Sequence, residues 1–122
     1  MLQVVTENIS SFAELLRQHR AVYVASLPGR LADLDSLARQ FADLQQSAQV
    51  LHALERCTHS LAGSAGTFGF HALGETARAL ELVVGEAQEG AELGEQIAAG
   101  LAALRSHLER VIAETAKEVM GP

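Results

Sequence analysis

His52, Glu55 and His59 recur at spacings of three and four residues, which on a helix places them along one face. Imidazole titrates near pH 6.5, so at neutral pH it can serve as nucleophile, proton carrier or metal ligand. A zinc site asks for about four ligands, and no matching set stands elsewhere in the chain, so solvated surface is the competing reading of this triple. Cys57 is the only cysteine; it permits no internal disulfide and no thiolate cluster. The glycines from Gly63 to Gly69 suggest a phosphate loop, yet they lack the Gly-Lys-Ser/Thr ending and a preceding strand. A solvated face and an accessible histidine both stay open at this point.

The stretch Thr58-His59-Ser60-Leu61-Ala62-Gly63-Ser64-Ala65-Gly66-Thr67-Phe68-Gly69 is the unusual one. With His59 set at zero, Val50, Cys57, Leu61 and Phe68 fall within about 20° of the opposite direction, and Leu54 within about 40°. That apolar arc faces a core. His52, Glu55, Arg56, Ala62, Gly63 and Gly66 share the His59 side, so the imidazole is expected to point at solvent from mid-helix. Each glycine costs roughly 1 kcal/mol of helix stability relative to alanine. Gly63 lies one turn after His59 and leaves the ring open to a bulky partner. Alternatively, the glycines admit a neighbouring helix, or the helix stops early.

Helices must position these residues, because apolar residues recur at helical spacing throughout and no segment alternates like a half-buried strand. Ser11 with Glu14 makes a capping-box pattern for a first helix carrying Phe12, Leu15, Leu16, Val22 and Tyr23. Pro28 and Gly29 mark a boundary or kink, and the next stretch presents Leu31, Leu34, Ala38, Phe41 and Leu44. Ser47 caps a helix running to about Phe68, where Gly69 stops it. Another begins near Phe70 with Leu73, Ala77, Leu80 and Val84, its frayed end bracketed by Gly85 and Gly90. The last carries Leu93, Ile97, Leu101, Leu104, Leu108, Val111 and Ile112. Short linkers make sequential helices antiparallel. The expected fold is all-α: an antiparallel four-helix bundle with an additional N-terminal helix, one domain over residues 1–122. The termini, Met1 to Glu7 and Met120 to Pro122, are expected to be loose.

Composition agrees. Apolar residues reach 48%, enough to fold one domain by burial alone. The formal charge of −6, with the few basic residues scattered, speaks against nucleic acid as a partner. No apolar run approaches the roughly 20 residues of a membrane span, and Met1 to Ser10 lack a signal-peptide pattern. A cytoplasmic location follows by default. His19, His71 and His107 read as surface or structural residues, Cys57 as packing, and the pairs Glu75/Arg78 and Glu109/Arg110 as solvated faces. Tyr23 is expected at the bundle end with its hydroxyl in water.

His59-Ser-Leu-Ala-Gly63, Gly69, and then Leu73, Ala77, Leu80 and Glu81 resemble the core of histidine-containing phosphotransfer (HPt) domains. That core reads roughly His-x-Leu-Lys-Gly-Ser-Ala-x-x-x-Gly, followed by a helix ending in Leu-Glu. The resemblance covers about Tyr23 to Glu81 and, more loosely, the final helix. It implies that His59 is phosphorylated and relays a phosphoryl group between receiver-domain aspartates, without kinase activity. The chain would thus be a phosphocarrier of a two-component phosphorelay rather than a true enzyme. The phosphoryl environment would comprise Arg56, Ala62 and Gly63, with receiver docking at Glu55, Gly63 and Gly66.

Partners would be response-regulator receiver domains and a hybrid sensor kinase, with no nucleic acid and no membrane, and the chain acting as a monomer. No cofactor or metal is expected here; Mg²⁺ would sit on the receiver. The sequence departs from the family at Ala62, where lysine is common. Either the lost charge alters transfer, or Arg56 or the partner replaces it. A helical adaptor that docks receiver or kinase domains without phosphotransfer is the alternative.

Overall fold

The computed structural model describes residues 2–120, with side chains over 6–118. Four helices follow in order: α1 (Leu2–Leu44), α2 (Ala48–Thr67), α3 (His71–Gln88) and α4 (Gly94–Met120). The described residues include no strand. Leu27, Leu34, Leu54, Leu73, Leu80 and Leu108, all fully buried, lie in one apolar cluster to which every helix contributes. The most extensive contact is between α2 and α3.

The all-α bundle stands, but the expected N-terminal helix is not separate. The two leading apolar stretches form one 43-residue helix that runs through Pro28. Proline has no N–H to offer the carbonyl of Val24 one turn earlier. Nearby, the Ser26 hydroxyl donates to the Tyr23 carbonyl (2.6 Å) and accepts from Arg30 Nε (3.1 Å). Pro28 itself is exposed, while Tyr23, Val24, Leu27 and Leu34 on either side of it are buried. Burial of that continuous face overrides the local break. The Ser11–Glu14 capping box does not form either: Glu14 lies mid-helix and accepts from Arg17 Nη2 at 2.6 Å. Leu2 to Glu7, expected loose, belong to α1. Met120 ends α4, and Met1, Gly121 and Pro122 lie outside the described residues.

The start of α2 follows the sequence. The Ser47 hydroxyl accepts from the Val50 amide at 3.3 Å, satisfying one of the unpaired first-turn donors. At the other end Gly69 adopts φ +87°, and Phe70 N–H reaches back to the Ala65 carbonyl at 2.8 Å. This glycine-terminated turn reverses the chain into α3. Gly85, by contrast, lies inside α3, and the turn after that helix uses Gly90 at φ +107°. Gln46 ties the two loops at the far end, donating to the Ala91 carbonyl (2.8 Å) and accepting from the Leu93 amide (2.6 Å). Leu93 therefore precedes α4 rather than opening it. Arg105 joins α4 to α1 through Asp35 (2.8 Å) and also pairs with Glu109, and Arg20 pairs with Glu118.

Candidate functional site

α2 presents His59 as the sequence anticipates: its side chain is 78% exposed. Opposite it, Val50, Leu54 and Leu61 are buried and Cys57 and Phe68 half-buried. The buried arc is wider than helical spacing alone indicates, however, and also takes in Leu51, Thr58, Ala62 and Ala65. The Thr58 hydroxyl satisfies itself on the Leu54 carbonyl at 2.8 Å.

Helical spacing puts Ala62 on the open side of α2, yet the residue is buried. The cause is a glycine on the next helix. Gly74 brings α3 so close that a Cβ there would stand 3.2 Å from the Ala62 carbonyl oxygen. The flank of α2 that carries Ala62 is covered by that approach, so this residue, expected in the phosphoryl environment, offers little surface there.

The same close approach carries a carboxylate to the histidine. Glu81 of α3 places Oε2 2.7 Å from His59 Nδ1, and Glu81 itself is only 22% exposed. A carboxylate brings lone pairs to such a bond, so the ring proton belongs on Nδ1 and the free lone pair on Nε2. The other ring nitrogen, Nε2, makes no hydrogen bond among the described residues. In the sequence Glu81 stands only as the end of the Leu-Glu motif. Its meeting with His59 is invisible there, because periodicity gives faces within a helix but no register between helices.

Around the ring the other expected residues divide. Gly63 is exposed, and a Cβ there would meet nothing within 4 Å. The same open space surrounds Gly66, which is half-buried, so neither glycine serves to admit a neighbouring helix. Glu55 is half-buried and lines a shallow hollow with Arg78, Glu81, Leu82 and Gly85. Leu82 is among the most exposed large apolar residues. Arg56 is exposed on the other flank, beside a hollow shared with Arg30, Asp33 and Cys57. Arg78, read from sequence as ordinary solvated surface, is a second cation close to Glu81. Arg56 and Arg78 make no ion pair or hydrogen bond among the described residues.

Behind the site, Tyr23 stacks on Phe68 with ring centroids 4.8 Å apart. Its hydroxyl shares a 2.9 Å hydrogen bond with Ser64 rather than reaching water, which fixes the end of α2 against α1. Burial, reinforced by Asp33 and partly offset by Arg30, pushes the Cys57 thiol above its ordinary range. His52 remains exposed, and no three of His, Cys, Asp and Glu converge on a metal position among the described residues.

The sequence profile of the Hpt domain family matches residues 9–114. The chain belongs to the Hpt domain family. It is a histidine phosphotransfer domain of two-component signalling. Over 60 residues, 49% of this chain, it is 38% identical to the chemotaxis protein CheA of Salmonella typhimurium, of which the match spans 9%. The Hpt chain therefore corresponds to a small part of that curated relative. No solved structure matches it significantly. No helix among the described residues is long and apolar enough to cross a membrane.

Proposed function

We propose that His59 is the phosphorylated residue and that the chain relays a phosphoryl group between receiver-domain aspartates. The observation that carries this reading is the exposed ring whose Nδ1 is held by Glu81, which leaves Nε2 as the ring nitrogen without a partner among the described residues. The Nε2 lone pair attacks the phosphorus of an aspartyl phosphate. A P–N bond forms, the P–O bond to the aspartate breaks, and the aspartate leaves as its carboxylate. The ring keeps its Nδ1 proton and becomes cationic, and Glu81 offsets that charge. Reversal onto a second aspartate completes the relay.

Such transfer depends on positioning and on neutralising the equatorial oxygens. Mg²⁺ and a lysine on the receiver would supply most of that charge, with Arg56 and Arg78 as the nearby cations of this chain. Docking would use Gly63, Gly66 and Glu55, with Leu82 from α3. A hybrid sensor kinase would supply the phosphate in the cytoplasm. The chain would act as a monomer.

The test is incubation with ³²P-labelled receiver domains. Acid-labile, alkali-stable label should appear on the protein and vanish in His59→Ala at unchanged helix content by circular dichroism. Receiver binding without label would refute phosphotransfer and favour the adaptor.

A further inference from the structure

A phosphoryl group on His59 would bring negative charge to a place already rich in carboxylates. Glu55, Glu81, Glu86 and Glu89 line the hollow beside the site, and Arg78 is the cation that lines it with them. Two contacts fix the register of the antiparallel helices α2 and α3 there. At one, a Cβ on Gly74 would stand 3.2 Å from the Ala62 carbonyl oxygen and 3.5 Å from the Gly66 amide. At the other, Glu81 Oε2 lies 2.7 Å from His59 Nδ1. Arg78 falls between them, level with Leu61 and Ala62. Around α3 it lies about 60° from Glu81 and about 40° from Gly74, on the outer side of both. Arg78 is exposed, so it stands at the open edge of the seam, one turn from the residue that holds the ring.

The other candidates for this charge are less well placed. Ala62 has none to offer, and the approach of α3 at Gly74 covers it. Arg56 lies on the far flank of α2, about 60° from His59 in the direction away from Ala62, beside a hollow shared with Arg30 and Asp33 of α1. The bond to Glu81 draws the imidazole the opposite way, toward α3.

We propose that Arg78 is the cation of this chain that binds the phosphoryl group on His59, an assignment that rests on the reading of His59 as the phosphorylated residue. The planar guanidinium fork matches two phosphoryl oxygens. Gly63 and Gly66, each with open space where a Cβ would be, leave its path to the ring clear. Arg78 gives up no ion pair or hydrogen bond among the described residues to make that contact. No covalent bond to Arg78 forms or breaks, and it keeps its protons. It offsets charge on the equatorial oxygens while the P–O bond gives way to P–N. Neighbouring turns of α3 thus set the tautomer through Glu81 and hold the phosphoryl group through Arg78.

Arg78→Ala, Arg78→Lys and Arg56→Ala test the assignment, with Arg110→Ala on α4 as the control for loss of one positive charge and circular dichroism as the check on folding. With a ³²P-labelled receiver domain as donor, Arg78→Ala should take up label roughly tenfold more slowly than the wild type. Arg78→Lys and Arg56→Ala should lose less, and Arg110→Ala nothing. A second measurement needs no receiver. The protein is phosphorylated chemically with phosphoramidate, and the ³¹P resonance that His59→Ala lacks is titrated. A guanidinium beside the phosphoryl group favours its dianion, so Arg78→Ala should raise that ionisation by about half a pH unit. Wild-type transfer with an unshifted ionisation in Arg78→Ala would overturn the proposal and leave His59 standing as the phosphorylated residue. A larger defect in Arg56→Ala than in Arg78→Ala would also overturn it. Slowed transfer with an unshifted ionisation would assign Arg78 to receiver docking, and equally overturn it. A wild type that takes no label and shows no resonance from His59 would remove the reading of His59, and this one with it.

Discussion

Gly63 separates what the fold needs from what the site needs. A Cβ there meets nothing within 4 Å, so the bundle does not require the glycine, and its helix cost of roughly 1 kcal/mol is not repaid by packing. Gly63→Ala should therefore raise the melting temperature by several degrees. Gly63→Gln should leave helicity intact and yet suppress transfer from a receiver by crowding His59; undiminished transfer would remove this glycine from the docking surface. Glu81→Gln should slow transfer roughly tenfold, about 1.4 kcal/mol, while Tm changes little, because an amide neither fixes the tautomer nor offsets the cationic ring. An unchanged transfer rate would show that Glu81 does not position the histidine. The exposure of His59 and Gly63 is legible in the sequence because it needs only the helical period of one segment. Ala62 is misplaced by the same reasoning: a single-helix wheel ignores the neighbour that covers its flank.

Among the helices, α2 and α3 are the pair on which the site depends, and at Gly74 they approach too closely to leave room for a side chain. Gly74→Ala would thrust a methyl group against the Ala62 carbonyl oxygen, backbone that cannot swing aside. Overpacking of this kind costs about 1–3 kcal/mol. The variant should show a lowered Tm and, in addition, reduced transfer, because α3 carries Glu81 away from His59 as it retreats. Chemical-shift perturbation of the His59 ring in the variant measures the second effect. A Tm loss without any change at the ring would uncouple the packing from the site. Helix ends marked by side-chain chemistry are readable, as at Ser47 and Gly69. The continuity of α1 is not. Pro28 and Gly29 carry a local instruction to stop, and what opposes it is the burial of Tyr23, Leu27 and Leu34 against partners distant in sequence, which no local pattern reveals.

For the molecule as a whole, the half-buried Cys57 thiol links stability to alkaline pH. The folded state holds Cys57 protonated to higher pH than the unfolded chain does, through burial first and Asp33 second. A raised folded pKa contributes fully below the unfolded value of about 8.5 and is lost as pH climbs through the folded one. Thermal melts should therefore fall more steeply above about pH 8.5 in the wild type than in Cys57→Ser; parallel curves would show that the thiol plays no part. Overall charge, helical period and the apolar fraction suffice to anticipate a one-core helical bundle, whereas the reach of α1 past α4 depends on relative lengths that only the assembled fold displays. The openness of His59 has a last consequence. If His59, whose side chain is 78% exposed, is phosphorylated as we propose, nothing among the described residues would close over the P–N bond. Its lifetime would be timed by the intrinsic hydrolysis of that bond, like an unshuttered flame, and the signal it carries would persist only as long as a recipient arrives before that clock runs out.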